Sequence, residues 1–374
     1  MTGSVAGFVA ADGRVFVEPP KYPGQATGNG VSLVTEPRVE LKSGNHTLTV
    51  RPFYRLDPND ERRSHFDVRE AKYRLSLEHF ELALGSDVIS WGVLEAYRPT
   101  DIVNQLDFVE SYSGSAKLGQ PFIEVGWVGE AASLKVYLLP YFRERTFPGV
   151  RGRLRFPATL DVDHPEYESP LRQYTPSAAA RYAFNIGELD VGLSAFGGVS
   201  REPRFILELT SGNVAPRYDL SYQASADAQL TLDALTLKAE GFVRLWTNQL
   251  IAFGGAGVGA DYTLYQVFDE ANLTFAGEFV FDTRPLSGPI TFFDHDAFAG
   301  ARLAFNDVAS TELNAGALID VVDGSTFGTV EASRRLGEHW RITASANLFF
   351  GKPGKLQTSF VRDNFGQLRV AYFF

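Results

Sequence analysis

Leu368-Arg369-Val370-Ala371-Tyr372-Phe373-Phe374 closes the chain, and its apolar residues alternate, so that Leu368, Val370, Tyr372 and Phe374 share one face. A period of two is the signature of a strand with one face in an apolar medium. That medium is either the core of a soluble sandwich or the hydrocarbon of a membrane. The rest of the chain decides between them.

The same alternation recurs far upstream. Leu48, Val50, Pro52 and Tyr54 oppose Arg51, Phe53 and Arg55, and Ala71, Tyr73, Leu75 and Leu77 oppose Glu70, Lys72, Arg74 and Ser76. Leu235, Leu237, Ala239 and Val243 face away from Lys238, Glu240 and Arg244, and Trp340, Ile342, Ala344 and Leu348 away from Arg341, Thr343, Ser345 and Asn347. The connections between such segments are unequal. Short turns at 43–45, 78–80, 129–131, 186–189, 233, 306–308 and 337–339 alternate with longer links at 16–30, 86–118, 143–174, 200–217 and 283–293. Short turns at one end and long loops at the other are the pattern of a barrel in the bacterial outer membrane.

Composition agrees. The chain of 374 residues has 30 Phe and 15 Tyr but one Met and no Cys, which excludes disulfides and thiolate metal sites and fits passage through the periplasm. No apolar run is long enough for a transmembrane helix, as expected where every second residue faces lipid and the signal averages out. Residues 1–10 lack the basic start and apolar stretch of a secretion signal, so the chain reads as a mature form with an added Met1, and no plug domain of the kind active transporters carry is expected before it. The fold expected is all-β: one domain over 1–374, a transmembrane antiparallel β-barrel of about 18 strands, with 16 as the alternative. Its ending resembles the terminal strand by which outer-membrane barrels are recognised by their insertion machinery, with Tyr372 and Phe374 as the reading face. Outer-membrane lipid and lipopolysaccharide are the expected surroundings.

So wide a barrel cannot be filled by strand side chains alone. Its inward positions carry charges that would each cost roughly 2–4 kcal/mol if turned to mid-bilayer lipid, so the interior is hydrated or laced with ion pairs. Arg38, Arg51, Arg55, Lys72 and Arg74 are placed to form a basic ladder along one wall, which would draw anions through the pore. Glu36, Glu40 and Glu70 are placed to neutralise the same residues in a structural network, and the two readings are compatible.

The least generic stretch is Ser90-Trp91-Gly92 followed by Arg98-Pro99-Thr100-Asp101. Pro99 bars a continuing strand, and Thr100 or Asp101 is placed to cap a short helix over 102–105. A connection of this length with order of its own is usually functional or folded inward. Residues 88–117 are therefore expected either to enter the lumen, with Trp91, Tyr97, Arg98 and Asp101 at a constriction, or to cover the mouth. The run from Arg69 to Thr146, with REAKYRLSLEHFELALGSDVISWG, then PTDIVNQLD, then LLPYF, resembles a family of porin-like outer-membrane proteins of unassigned substrate. The resemblance covers about a fifth of the chain and implies a barrel and a loop, but names no solute.

Other chemistry was sought. The six histidines are scattered, with no HExxH and no GxSxG, so neither an enzyme nor a cofactor is expected; His295 between Asp294 and Asp296 is read as loop polarity. Gly255-Ala256-Gly257-Val258-Gly259-Ala260 matches a dinucleotide fingerprint, yet strand pattern continues where a helix is required. Inward glycines there leave room for an intruding loop. The acidic segment 161–168 has oxygen ligands for calcium without an EF-hand frame, and a solvated loop is the plainer reading. Nothing points to nucleic acid. The expected role is a diffusion channel for small polar, including anionic, solutes in a Gram-negative outer membrane. The alternatives are a selective channel for a hydrophobic or amphipathic substrate, with Phe53, Phe122, Phe242, Phe298, Phe327 and Phe349 lining the path, and a non-transporting barrel acting through its outer loops.

Overall fold

The computed structural model describes residues 1–207, 214–248, 250–289, 291, 293–352 and 357–374, with 357 and 358 described in backbone only. Parts of the expected loops 200–217 and 283–293 therefore lie outside the described residues. The strands in chain order are β1 (Thr2–Phe16), β2 (Gly30–Ser43), β3 (His46–Leu56), β4 (His65–Ser76), β5 (Phe80–Asp87), β6 (Gln120–Val128), β7 (Ala132–Leu139), β8 (Glu166–Tyr167), β9 (Ser177–Ile186), β10 (Leu189–Val199) and β11 (Arg204–Leu207). They continue with β12 (Val214–Tyr218), β13 (Leu220–Leu232), β14 (Leu235–Trp246), β15 (Ile251–Phe268), β16 (Ala271–Asp282), β17 (His295–Ala304), β18 (Glu312–Asp320), β19 (Thr326–Leu336), β20 (Trp340–Phe350) and β21 (Phe365–Phe373).

All but β8, β11 and β12 form one antiparallel sheet of 18 strands, each paired with its neighbour in sequence. The sheet closes where β1 pairs with β21, from Phe8 opposite Phe373 to Phe16 opposite Phe365. Closure leaves no open edge in the bilayer, which is the condition for a sheet to span it. The count of 18 settles the alternative of 16, and Ser86, placed from sequence at the start of the link 86–118, is the penultimate residue of β5. The three remaining strands make a small sheet in the long loops.

The lipid-facing set is the one read from alternation. Val5, Val50, Val136, Val243 and Leu368 are exposed, whereas their strand neighbours Thr49, Tyr137, Phe242, Arg244 and Ala371 are buried inside. Exposed aromatics gather at both rims: Phe80, Trp127, Phe268 and Trp340 near the short turns, and Tyr54, Phe66, Tyr222 and Phe281 near the long loops. These are the positions of the interfacial girdles of outer-membrane barrels.

Inside the closing seam, the fully buried Asp12 carboxylate of β1 accepts from Arg55 of β3 at 2.8 Å and from Arg369 of β21 at 2.6 and 2.8 Å. One carboxylate thus ties the first, third and last strands. Next to it, Pro52 has no N–H for the ladder, and the pairing steps from Arg51–Glu70 to Pro52–Val68. Arg69 is left over, and its side chain is buried inside beside Glu70.

A candidate constriction and its cavity

The segment 88–119 between β5 and β6 is held at its root by Asn104, which donates to the carbonyls of Asp87 and Leu118 at 2.9 and 2.8 Å and accepts from the Ile89 N–H. From there the chain reaches the far wall. Glu240 of β14 accepts from the N–H groups of Val93, Leu94 (2.7 Å) and Thr100 (3.3 Å) and from the Thr100 hydroxyl (2.8 Å). Glu278 of β16 accepts from the N–H groups of Glu95 (2.7 Å) and Ala96 (2.9 Å). Charge-assisted bonds of this kind are about twice as strong as neutral ones. Gly92 has φ +92°, and a β-carbon there would fall 2.6 Å from a Glu240 oxygen, so the turn after Trp91 needs glycine on both counts.

The inward glycines of β15 serve the same contact. Leu94 is wholly buried, and β-carbons on Gly257 and Gly259 would lie 2.5 and 3.2 Å from its methyl groups. The expected helix over 102–105 does not form. Thr100, which would have capped it, gives its hydroxyl to Glu240 instead.

The returning limb takes two further holds. Asp107 accepts from Arg69 and Thr146, each at 2.7 Å, and Glu110 receives Arg55 at 2.7 and 2.8 Å. Burial would raise the Asp107 carboxyl, but His65 at 3.6 Å, the charge of Arg69 and the hydrogen bond from Thr146 hold it down to about 2. Tyr112 then crosses to another part of the wall. Its hydroxyl donates to Asn347 of β20 at 2.9 Å and its ring meets Phe327 of β19 and Phe349 of β20 edge-on.

The residues singled out from sequence are distributed as follows. Trp91 does not line the open space: it is buried on the opposite side against Tyr137, Ile102, Val103 and Phe196, with Arg181 over its ring. Tyr97 stacks on Phe293 at 4.2 Å. The half-exposed Arg98 donates to the Leu94 carbonyl at 2.6 Å, and Asp101 pairs with Lys117 while burial raises its carboxyl. Each residue of the basic ladder meets a carboxylate: Arg38 and Arg51 reach Glu70, with Glu40 and Glu36 as second partners, and Lys72 bonds Glu70 and Asp87. Arg74 lies 3.9 Å from Glu81, and Arg55 is buried between Asp12 and Glu110, out of reach of a solute. In the acidic segment 161–168, Asp161 bonds His164, Asp163 pairs with Arg62 and Glu166 with Arg217.

A second basic group escaped the sequence reading. Arg145, Arg201 and Arg244 line a cavity of about 510 Å³ between segment 88–119 and the wall of β17–β20. Glu202 pairs with Arg244 and with Arg284 at 3.2 Å, and Asp282 pairs with Arg284 at 2.6 Å. Burial works to raise Glu202, yet Arg284, Arg244 and Arg145 outweigh it and bring it down to about 2. Among the described residues Arg201 has no carboxylate partner: it donates to the carbonyls of Val103 and Val199, both at 2.9 Å, and burial lowers it to about 9. Arg145 bonds Gln105 and the Arg201 carbonyl and is likewise lowered by burial. The strand period placed Arg244 inward, but for Arg145 and Arg201 the sequence offered only the arginine-rich stretch Arg143, Arg145, Arg151, Arg153 and Arg155, which has no period. The opposite side of the cavity is apolar, formed by Phe298, Leu318, Phe327, Phe349 and Phe360.

Solved structures share this architecture. Wzi of Escherichia coli, an outer-membrane protein involved in group 1 capsule assembly and described as a carbohydrate-binding β-barrel, matches with a TM-score of 0.57 at 9% identity, over 97% of this chain and 83% of Wzi. This chain has the closed-barrel fold of outer-membrane β-barrel proteins. OmpT of Vibrio cholerae, folded in vitro and in trimer form, matches with a TM-score of 0.50 at 11% identity over 100% of this chain and 99% of OmpT. Its variant lacking loop L8 matches with a TM-score of 0.50 at 10% identity, over 100% of this chain and 99% of that one. At these identities the barrel shares a fold with them and nothing finer. No protein-family model matches the sequence, and no curated protein matches it as a relative.

Proposed function

We propose that the barrel is a channel for small solutes, constricted by segment 88–119 and selective through the side chains around the cavity beside it. The observation that carries this reading is the clasp of Glu240 and Glu278 on the backbone N–H groups of residues 93–96. A segment meant only to cap the mouth has no need of carboxylates on the far inner wall. A barrel meant to be sealed has no need of a cavity of about 510 Å³ beside the segment. The arginines at that cavity favour anions over cations. No cofactor or energy source enters the reading.

A second reading has its own support. Phe327, Phe349, Phe360, Phe156 and Phe205 run as successive ring contacts of 5.3, 5.6, 6.1 and 5.8 Å from the wall of the cavity into the loops. Such a row suits a solute with an apolar body, and Wzi, a barrel of similar fold, is described as binding carbohydrate. Planar-bilayer recording separates the readings. A diffusion channel gives open steps with anion preference and flux proportional to concentration. Saturating flux of an aromatic solute favours the second reading, and absence of current from a folded barrel removes both.

A further inference from the structure

We propose that the cavity between segment 88–119 and β17–β20 is a binding site for small amphipathic anions, typified by a ring carboxylate, with the charged end at Arg145 and Arg201 and the ring against Phe298, Phe327 and Phe349. The proposal rests on the channel reading and names the class of solute that the constriction would retain.

Charge comes first. Four guanidiniums, Arg145, Arg201, Arg244 and Arg284, are gathered around two carboxylates, Glu202 and Asp282, and both carboxylates are engaged by Arg244 and Arg284. Among the described residues, the half-buried Arg145 and the buried Arg201 make no ion pair with a carboxylate: their hydrogen bonds go to carbonyl and amide oxygens, and Glu202 acts on Arg145 through space only. A buried guanidinium lacking an anionic partner is costly, and the cost falls when an anion arrives. Burial lowers both groups from the usual arginine range, which is the same penalty seen as proton affinity.

Donors come second. Arg145 donates through Nε to the Gln105 side-chain oxygen and through Nη2 to the Arg201 carbonyl, and among the described residues its Nη1 has no acceptor. Arg145 lines the cavity, so that nitrogen is a donor left over for an anion bound there. Its ring partner Phe108, 4.7 Å from the guanidinium carbon, holds the fork in place.

The shape of the opposite wall completes the class. Phe327 and Phe349 stack at 5.3 Å with an interplanar angle of 30° and, with Phe298 and Leu318, make an apolar face that a free inorganic anion would leave unused. A neutral sugar would need carboxylate acceptors, but Asp101 is held by Lys117, Glu202 by arginines and Glu95 by Lys238 at 3.3 Å. The volume is within the range of small-ligand pockets.

The test is interruption of the potassium chloride current through the refolded protein by benzoate and cyclohexanecarboxylate, compared with acetate, benzyl alcohol and glucose. The ring carboxylates are expected to block at concentrations about tenfold or more below acetate and benzyl alcohol, the worth of one charged hydrogen bond or one buried ring. Arg145→Gln is expected to remove the advantage over benzyl alcohol, and Phe327→Ala the advantage over acetate. Heat-modifiable migration on gels shows that each variant is folded. Arg145→Lys, which keeps the charge without the fork, is expected to fall between wild type and Arg145→Gln. Equal block by acetate and benzoate, equal block by benzyl alcohol and benzoate, or stronger block by glucose would each overturn the proposed class while leaving a conducting channel. Absence of current from a folded barrel would instead overturn the channel reading. Calorimetric titration of the same protein with benzoate then decides the site by itself, binding supporting it and no heat overturning it.

Discussion

The two sides of the lumen are built on opposite plans. Toward β3, β4, β14 and β16, segment 88–119 is fixed by carboxylates and arginines, and almost every inward charge meets an opposite one within the protein. Toward β17–β20 the wall is lined by small residues and rings, and the segment reaches it through Tyr112. Glycine does different work on the two sides. Gly257 and Gly259 admit Leu94 of the segment, whereas Gly300 and Gly316 are covered by the Phe298 ring of their own wall. A wide barrel therefore narrows by committing one side to structure, and the solute is left the other.

Disrupting the committed side at its seam should have the largest effect. Asp12→Ala strips the buried Arg55 and Arg369 of a shared partner and is expected to cost about 3–5 kcal/mol of unfolding stability in urea titration. Arg302→Ala on β17, which removes a largely exposed pair with Glu312, should change stability by about 0–1 kcal/mol. Equal losses would erase the distinction between the sides.

The next largest effect should come from the clasp. Glu240→Ala leaves the Val93, Leu94 and Thr100 N–H groups without their acceptor, each worth about 1–3 kcal/mol where it stays dry, and should free the segment. The expected readout is a larger, noisier conductance and protease cleavage within 92–103. Glu312→Ala on the open side should leave both unchanged.

A smaller contrast comes from the glycines. Gly257→Val puts side-chain atoms where Leu94 lies and should raise conductance by displacing the segment. Gly316→Val, whose β-carbon would be 3.0 Å from the Phe298 ring, should lower conductance by pushing that ring into the cavity.

The smallest effect is expected in acid. Glu202, with an ordinary value near 4.5, is brought down to about 2, so its contribution is complete above about pH 4.5 and is lost as pH falls toward 2. Asp107 follows the same sign from 3.8 to about 2. Asp107 holds segment 88–119, so conductance should rise as pH falls through this window, and a constant conductance between pH 5 and 2.5 would remove Asp107 as an anchor.

What the sequence disclosed follows from the range of each interaction. Strand number, lipid face and loop asymmetry are local, carried by a period of two and by turn length, and they were legible. The glycines of β15 also carried their message, because a missing side chain on an inward face marks a close approach. The clasp was not legible, since Glu240 and Val93 are 147 residues apart and nothing near either announces the other. The helix expected over 102–105 fails for the same reason: a distant carboxylate outbids local capping for the Thr100 hydroxyl. Trp91 stood out by rarity, which marks a side chain as important without telling whether it packs or lines a path. Arg145 and Arg201 lie in loops where no period assigns a face, so their place on the cavity wall emerges only in three dimensions.

The most direct test of the constriction is single-channel conductance of the refolded protein beside a variant in which residues 92–103 are replaced by a short glycine-serine link. Small steps for the intact chain and a several-fold increase for the variant are expected if segment 88–119 narrows the lumen. Equal conductance in the two, with both barrels folded, would contradict that account.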